Sequence, residues 1–296
     1  MIDFIKLYWQ DKNRLQSHVL NEGNFEEVNM VLEKHSSEIK YPYTTHFTGM
    51  KVGLTQKSGY VKNSIHKSYN ILKTGKEHNY NDFTYSNICE EIEYLSSRLV
   101  DLDKSRITQL EFGLNIPIDT PAENIIRRNV IMHKLKGANH NRQYFGRGEF
   151  KQFDYHNYVL KIYDKAKQYR LNTNVLRFEV KYIKAIDFQG LGIFNIEDLK
   201  NKMKLRKLFL LLLKRFDELT IIDEYGDSEI QKKDLNNLKK YSNPAFWEEE
   251  LRSKTRQTKS IHKKKFERIL NKYSLLEIKK SIRSLIIQKF IYSINN

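Results

Sequence analysis

Apolar and polar residues alternate through most of the first half of the chain. The alternation is clear in three segments, MIDFIKLYW, FTGMKVGLT and GYVKNSIHKSYNIL, which are separated by polar turns. Successive side chains of a β-strand point to opposite faces, so this period of two is typical of strands with one buried face. The pattern therefore predicts a series of strands in the first half.

Helical spacing follows between Tyr85 and Leu102, where four apolar residues recur at steps of three and four: Ile88, Ile92, Leu95 and Leu99. They lie on one face of a predicted helix. The segment ITQLEFGLNIPI then predicts a strand that stops at Pro117. Asp119 or Thr120 can cap a second helix, which we expect to run to about Lys136.

Two later segments are predicted to be neighbouring strands, Tyr158–Tyr169 and Val175–Phe188, joined by a loop at Leu171–Asn174. The remainder has helical spacing and contains the apolar run LFLLLL. We therefore predict an α+β protein, an antiparallel sheet flanked by helices followed by a basic helical C-terminal extension. The expected division is a main domain over 1–195 and a helical extension over 196–296.

Charge narrows the range of partners. Lysine and arginine number 52 against 36 acidic residues, which gives a net charge of +16 and a pI near 9.5. From Lys200 to Asn296 there are 24 basic and 12 acidic residues, so about +12 of that charge lies at the C-terminal end. Such a field favours a polyanion, with nucleic acid expected and a membrane surface as the alternative.

Other features of the composition exclude some classes of site. The sequence has no apolar run long enough to cross a membrane, and its start lacks the order of a secretory signal, so we expect a cytoplasmic protein. The single cysteine, Cys89, excludes an internal disulfide and a cysteine-built zinc site. We expect it to be a buried helical thiol.

Three strands carry functional groups on the face opposite their apolar residues. Alternation places together, strand by strand, Gln109 with Glu111 and Gly113, Lys161 with Tyr163 and Lys165, and Arg177 with Glu179 and Lys181. A phenol is a good nucleophile for covalent catalysis, and carboxylates can hold a divalent cation that polarises a phosphate. All three strands can therefore direct their groups into one DNA-nicking site.

Each of these residues also has a purely structural interpretation. The chain has 18 tyrosines, so any one of them is more often structural. Glu179 stands between Arg177 and Lys181 and could form an exposed cross-strand ion pair. Glu111 is more informative, because a carboxylate in an otherwise apolar strand is costly to bury without a partner or a metal.

The order of four short motifs resembles that of the filamentous-phage replication initiators, the gene-two endonucleases, and more distantly the rolling-circle initiators of staphylococcal-type plasmids. The motifs are Gln109-Leu110-Glu111, Tyr144-Phe145-Gly146-Arg147, Ile162-Tyr163-Asp164-Lys165 and Leu176-Arg177-Phe178-Glu179. The resemblance spans about Tyr41 to Leu191. With it, we expect 1–195 to be a catalytic nicking and origin-binding domain and 196–296 a basic helical DNA-binding extension. The resemblance implies a metal-dependent, site-specific nickase and ligase that starts rolling-circle replication through a 5′-phosphotyrosine link.

The resemblance also implies roles for single residues. Tyr163 is the nucleophile, Lys165 assists at the phosphate, and Glu111 and Glu179 bind Mg²⁺ or Mn²⁺. The chain departs from the family at Gln109, where arginine is usual, and at Glu111, where aspartate is usual. Tyr158 and Tyr169 are rival nucleophiles, but Tyr158 is expected on the opposite face and Tyr169 near the end of the strand.

The predicted DNA contacts fall into two groups. Those near the motifs are Arg147, Lys161, Arg177 and Lys181. Those in the C-terminal segment from Phe246 to Tyr273 are Arg252, Lys254, Arg256, Lys259, Lys263, Lys264 and Lys265. A solvated helix would more often intersperse acidic residues, so we expect this segment to contact phosphates.

Alternatives to the nickase stay open. One is a non-catalytic DNA-binding initiator or repressor that uses the same basic surface, and another is a structural or RNA-binding protein. The expected partner is a replication origin, single-stranded or supercoiled, and not a membrane. The resemblance adds host helicase and polymerase, and a homodimer, as partners to be tested.

Overall fold

The computed structural model describes residues 1–144, 148–226 and 230–296. Their strands are β1 (Ile2–Trp9), β2 (Asn29–Leu32), β3 (Ile39–Phe47), β4 (Met50–Leu54), β5 (Gly59–Ser64), β6 (Arg106–Pro117), β7 (Val130–His133), β8 (His140–Tyr144), β9 (Gly148–Asp154), β10 (Tyr158–Asp164), β11 (Val175–Tyr182) and β12 (Leu219–Ile221). Strands β1 to β6 and β8 to β11 form one sheet, and β7 pairs with β12.

The large sheet has the order β2-β3-β4-β5-β1-β6-β11-β10-β9-β8, and its neighbouring strands run antiparallel. Strand β1 lies near the middle because it pairs with both β5 and β6. The neighbours β6, β11 and β10 then follow in order. The sequence segments expected to share one site are therefore adjacent in the sheet.

The helices are α1 (Lys12–Leu20), α2 (Ile65–Thr74), α3 (Tyr85–Arg98), α4 (Ala122–Asn124), α5 (Lys165–Tyr169), α6 (Ile186–Gln189), α7 (Lys202–Asp217), α8 (Lys232–Tyr241), α9 (Arg256–Lys272) and α10 (Glu277–Asn295). Short 3₁₀ helices occur at Leu102–Lys104 and Ile196–Lys200, and π-helical turns at Ile125–Asn129 and Phe246–Glu250. Within the described ranges, none of these helices is both long and apolar enough to cross a bilayer.

Two hydrophobic clusters hold the molecule together. The main core joins one face of the large sheet to α3, α7 and α10, with members such as Leu110, Phe178 and Phe216. A separate C-terminal core contains Trp247 and Phe266 and draws on α8 and α9. Because α7 and α10 pack with the sheet, residues after 195 contribute to both clusters, and the division at 195 stays a prediction.

The expected architecture is confirmed: an antiparallel sheet flanked by helices, with mainly helical structure toward the C-terminus. The helix expected near residues 85–102 is present as α3, and the strand before Pro117 is β6. Cys89 lies in α3 but is only half-buried. Of the four motifs, the second lies partly outside the described residues, because its last three positions, which include Arg147, are not described.

Three of the predicted ends of helices and strands were wrong, and the structure shows the physical reason for each. The helix expected to reach Lys136 ends at Asn129, whose side chain donates to the Ile222 carbonyl and leads into β7. The period-two segment after Gly59 becomes helical after Ser64, because the Ser64 hydroxyl caps α2. Likewise Asp164 ends β10 by capping α5. At Ser64 and Asp164 a local side-chain hydrogen bond to the backbone decides the change, whereas the contact of Asn129 is long-range.

One buried acid in α3, Glu91, has no ion-pair partner among the described residues, and Ser68 offsets only part of the cost of its burial. Glu91 lies on the inner face of the helix, and both its carboxylate oxygens lack a hydrogen-bond partner among the described residues. Burial raises the pKa of Glu91 from 4.5 to about 7. The folded protein therefore keeps Glu91 protonated at pH values where the unfolded chain has already lost that proton.

We expect the protein to lose stability as the pH rises through this interval because of Glu91. Between pH 4.5 and pH 7 the folded state binds the extra proton, so the loss is about 3 kcal/mol, and it is complete above about pH 7. Glu91→Gln removes this titration. Urea unfolding at about pH 5 and pH 8 should show the variant gaining about 3 kcal/mol relative to wild type across the interval.

Glu93→Gln, an exposed change on the same helix, controls for the loss of one charge. A Glu91→Gln effect that is the same at both pH values would contradict the assignment.

Candidate metal and nucleophile site

Three adjacent strands, β6, β11 and β10, bring the predicted residues to one face of the large sheet, here called the site face. Across the strand pairs, Lys181 stands opposite Glu111, Lys161 opposite Glu179, and Tyr163 opposite Arg177. The apolar neighbours of these residues point into the main core on the other side. The structure thus brings together Glu111, Tyr163 and Glu179, as alternation along each strand predicted.

A β-bulge adds a third carboxylate that the sequence analysis missed. Ile2 pairs with Phe112 and Ile5 with Leu110, so the two residues Asp3 and Phe4 share the space opposite Glu111. Strict alternation would put Asp3 beside Ile5 on the core face. The extra residue of the bulge turns Asp3 to the site face instead, as bulges often do next to functional sites.

Asp3, Glu111 and Glu179 form a carboxylate cluster. One oxygen from each lies within 4.8 Å of the others, and all three residues are at most 7% exposed. Oxygen ligands on rigid strands are what Mg²⁺ and Mn²⁺ prefer, and a cation would offset the repulsion between these buried charges. The donor set therefore fits a divalent metal ion.

Arg177 and Lys161 offset part of the negative charge. The Arg177 guanidinium, 2% exposed, donates from Nε to Glu179 Oε2 at 2.7 Å and from Nη2 to Asp3 Oδ2 at 3.2 Å. Its Nη1 donates to Asn115 Oδ1 at 3.0 Å. Lys161 Nζ lies 3.2 Å from Glu179 Oε1 and 3.8 Å from Glu111 Oε2. The buried Arg177 is thus occupied by the carboxylates themselves.

These charges set the protonation of the cluster. Burial would raise the pKa of Glu179, but Lys161 and Arg177 outweigh it and hold that pKa well below its usual range. Burial would likewise raise the pKa of Asp3, but the Arg177 charge outweighs it, and the pKa of Asp3 is lowered. At Glu111, burial and the nearby Glu179 charge raise the pKa to about 8. Without a cation, Glu111 is the member that keeps its proton at neutral pH.

Tyr163 lies against this cluster. Its hydroxyl donates to Glu179 Oε2 at 3.2 Å, and its ring is half-buried at the wall of an open pocket of about 330 Å³. The carboxylate cluster, Lys161 and Lys165 line the same pocket. Burial and the Glu179 charge raise the pKa of Tyr163 well above its ordinary value, so the phenol is protonated at neutral pH.

Lys165 reaches the pocket from a different element than expected. It is the first residue of α5, just after β10 ends, and it is 1% exposed. Its ammonium donates to Asn79 Oδ1 at 2.6 Å and lies 3.5 Å from the Tyr163 hydroxyl. Burial and the Arg177 charge lower the pKa of Lys165 to about 7. Lys165 is therefore a buried amine that can exchange its proton near neutral pH.

Asn79 connects the two parts of the site and was also missed. Its Nδ2 donates to Asp3 Oδ2 at 2.6 Å, while its Oδ1 accepts from Lys165 and from the Tyr169 hydroxyl, each at 2.6 Å. Asn115 Nδ2 holds this loop through the Asn79 carbonyl at 3.1 Å and the next two carbonyls. In sequence the loop is only a polar run between two helices, which gave no signal of function.

The rival tyrosines have other partners. Tyr158 lies on the opposite face, as expected, where its ring stacks on Tyr155 at 4.7 Å and its hydroxyl accepts from Lys134. Tyr169 is in α5, and its hydroxyl is engaged by Asn79. Of these three tyrosines, Tyr163 is therefore the one whose hydroxyl is hydrogen-bonded to the carboxylate cluster.

The remaining predicted DNA contacts lie outside the pocket. The Lys181 ammonium lies 3.7 Å from the centre of the ring of Phe4, a residue that lines the pocket. The C-terminal set is exposed apart from the half-buried Lys259, and it occupies α9 and the turn before it: Arg252, Lys254, Arg256, Lys259, Lys263, Lys264 and Lys265. Their contact with DNA stays a prediction.

No protein-family model matches the chain, and no curated protein matches it. Among solved structures, the rolling circle replication initiator protein from Geobacillus stearothermophilus is similar to it, with 13% identity and a TM-score of 0.39. The alignment covers 79% of this chain and 89% of that chain. A likeness of this extent assigns neither fold nor function.

The protonation of Glu111 predicts how metal binding depends on pH. A cation must displace the proton of Glu111, so the apparent Mn²⁺ affinity should rise about tenfold per pH unit up to about pH 8 and level off above it. Titration calorimetry without DNA, in buffers of different ionisation enthalpy, measures both the affinity and the release of about one proton at pH 6 to 7.

Glu111→Gln is the matched variant, since it keeps the shape of the side chain without the titrating group. It should bind Mn²⁺ at least about tenfold more weakly and without the pH slope. An affinity in the wild type that does not change between about pH 6 and pH 8 would sink the assignment of Glu111 as a ligand.

Proposed function

We propose that this protein is a metal-dependent DNA nickase and ligase of the rolling-circle initiator type, with a 5′-phosphotyrosine intermediate. The observation that carries the proposal is the position of Tyr163, whose hydroxyl lies 3.2 Å from Glu179 within a pocket lined by the carboxylate cluster. The net charge of +16 suits a polyanionic substrate. The four-motif order in the sequence supports the same function.

Asp3, Glu111 and Glu179 would hold the metal ion, Mg²⁺ or Mn²⁺. When bound, the ion would polarise a non-bridging oxygen of the scissile phosphate. Arg177 keeps Asp3 and Glu179 ionised and oriented toward the ion through its hydrogen bonds to both. This is a positioning role for Arg177, in place of the DNA contact expected from the sequence.

Lys165 is the proton acceptor in this proposal. Tyr163 is protonated at neutral pH, and Glu179 is a poor base because its own pKa is lowered. Lys165 Nζ lies 3.5 Å from the Tyr163 hydroxyl, and its pKa of about 7 leaves much of it neutral at physiological pH. Asn79 fixes the amine at that position through its 2.6 Å hydrogen bond.

The reaction then balances as a transesterification. Lys165 Nζ takes the phenolic proton while Tyr163 Oη forms a bond to phosphorus, and the bond from phosphorus to the 3′ oxygen breaks. The leaving oxygen takes up a proton from solvent water and becomes a free 3′ hydroxyl, and Lys165 returns its extra proton to solvent. Because the phosphodiester energy is kept in the tyrosine ester, the reverse step can join a 3′ hydroxyl without a further energy source.

Covalent trapping tests the nucleophile. The protein is incubated with Mn²⁺ and a random-sequence pool of single-stranded DNA, and DNA that stays attached in hot detergent is sequenced, which also reports the nicking site. Tyr163→Phe should reduce the adduct by at least about 10³-fold, because the nucleophilic oxygen is removed.

Tyr158→Phe is the matched control, since Tyr158 lies on the opposite face of the same strand. It should form the adduct as wild type does. An adduct that persists in Tyr163→Phe would overturn the assignment, and no adduct from the wild type on the pool or on supercoiled DNA would favour a non-catalytic DNA-binding protein.

The role of Lys165 predicts a pH profile. The amine has a pKa of about 7 in the metal-free site, and a cation at the carboxylates lowers it further, so the single-turnover rate of adduct formation at saturating Mn²⁺ should rise about tenfold per pH unit at acidic pH and level off below about pH 7. Lys165→Arg keeps the positive charge but cannot release its proton, so we expect a rate at least about 10²-fold lower.

Lys161→Arg is the comparison. Lys161 keeps its charge in any case, because the Glu179 carboxylate raises its pKa, so this variant should stay within about tenfold of wild type. If Lys165→Arg is equally active, Lys165 acts by charge at the phosphate and not as a base.

A further inference from the structure

A row of lysines crosses the site face beyond the pocket. Lys6 of β1 stands opposite Lys62 of β5, and Lys62 stands opposite Lys51 of β4. Gln109 of β6 extends the row at one end and His46 of β3 at the other. Lys6, Lys62 and Lys51, which we call the lysine row, are half-exposed. None of the three was singled out from the sequence.

The lysine row is not neutralised within the protein. In the described part of the chain, none of its three ammonium groups forms an ion pair with a carboxylate, while many other lysines do. Like charges placed directly opposite each other destabilise a sheet. Two such pairs in succession are a cost to stability that a bound polyanion would remove.

Tyr60 holds two of these ammonium groups in place. Its ring lies against Gly53, where an added Cβ would come within 2.3 Å of the ring carbon Cζ. Lys6 Nζ lies 5.2 Å and Lys62 Nζ 5.5 Å from the centre of that ring. Cation–π contacts of this kind reduce the freedom of both side chains before any ligand arrives.

The lysine row is continuous with the pocket. Phe4 lines the pocket, and Lys6 follows it two residues later on the same face, about 7 Å along β1. Tyr8 comes next on that face, opposite Tyr60, and is also half-exposed. Lysines beside exposed aromatic rings on a sheet are suited to an unpaired strand, whose phosphates take the charges while its bases stack.

We propose that the lysine row binds the phosphodiester backbone of single-stranded DNA that continues from the scissile phosphate in the pocket. The proposal rests on the proposed function for the position of that phosphate. The lysine row increases the affinity for the DNA strand and fixes its path across the sheet. It does not select among bases, because its contacts are to phosphates.

The test measures binding and needs no chemistry. Fluorescence anisotropy of a labelled single-stranded oligonucleotide is recorded with Tyr163→Phe protein in EDTA, across a range of salt concentrations. Replacing the row with K6Q, K51Q and K62Q should make the slope of log affinity against log salt shallower by about 2, since each contact with a single strand contributes about 0.7. Between about 50 and 200 mM salt, the variant should lose about 20-fold less affinity than its parent.

The control replaces three exposed lysines that lie outside the strands of the sheet and outside the extension expected to bind DNA, with K34Q, K104Q and K184Q, which lowers the net charge equally. It should leave the slope within about 0.5 of the parent. Circular dichroism and the Mn²⁺ affinity of both variants report whether the fold and the carboxylate cluster are intact.

Three outcomes would overturn the proposal: an unchanged slope in the row variant, an equal change in the control, or an equal loss on duplex and single-stranded DNA. A different result would contradict the proposed function itself. In that case the wild type forms no covalent adduct, while the single-strand binding by the row can still be present.

Discussion

The ion pair between Arg177 and the carboxylates is the interaction on which the site depends. Three carboxylates within 4.8 Å of one another, each at most 7% exposed, would be strongly unstable alone. Arg177 donates to Asp3 and Glu179 and is itself fully enclosed, so removing it would leave uncompensated buried charge. The negative charge that remains uncompensated, together with burial, raises the pKa of Glu111. This carboxyl group therefore keeps a proton until a cation takes its place. Charge compensation thus makes the cluster receptive to a metal.

The backbone allows this concentration of charge through two local departures from a regular sheet. The bulge in β1 turns Asp3 to the site face. Gly113 in β6 permits the close approach of β11, since a Cβ at this position would lie 2.4 Å from the Glu179 Cβ. A side chain there would push Glu179 away from Glu111 and change the spacing of the cluster. A second irregularity in the pairing of β1 with β6 lies further along, between Lys6 and Leu7, and the pairs of β6 with β11 and β11 with β10 are regular, so the three carboxylates have rigid support.

These departures also explain how much of the site could be predicted from the sequence. Period-two alternation is enough to place Glu111, Tyr163 and Glu179 on one face, because β6, β10 and β11 are regular where these residues lie. Asp3 could not be found by alternation, because the bulge changes the face of the sheet to which its side chain points. Asn79 could not be found either, because residues of a loop do not alternate between two faces. Strand order was equally hidden, because β1 reaches β6 only through long-range pairing. The helix expected to reach Lys136 failed where tertiary pairing with β12 overrode local spacing.

The connection through Asn79 makes the charge of the cluster and the proton of Lys165 interdependent. Asp3, Glu179 and Glu111 each raise the pKa of Lys165, against the larger lowering by burial and Arg177. Positive charge at the carboxylates would cancel that attraction and lower the Lys165 pKa further, so more of the amine would be neutral. The Asn79 side chain keeps Asp3 and Lys165 at a fixed separation, because its Nδ2 donates to Asp3 and its Oδ1 accepts from Lys165. The amine next to Tyr163 therefore becomes a better proton acceptor when the cluster is neutralised, which in the proposed function would tie the activation of Tyr163 to a bound cation.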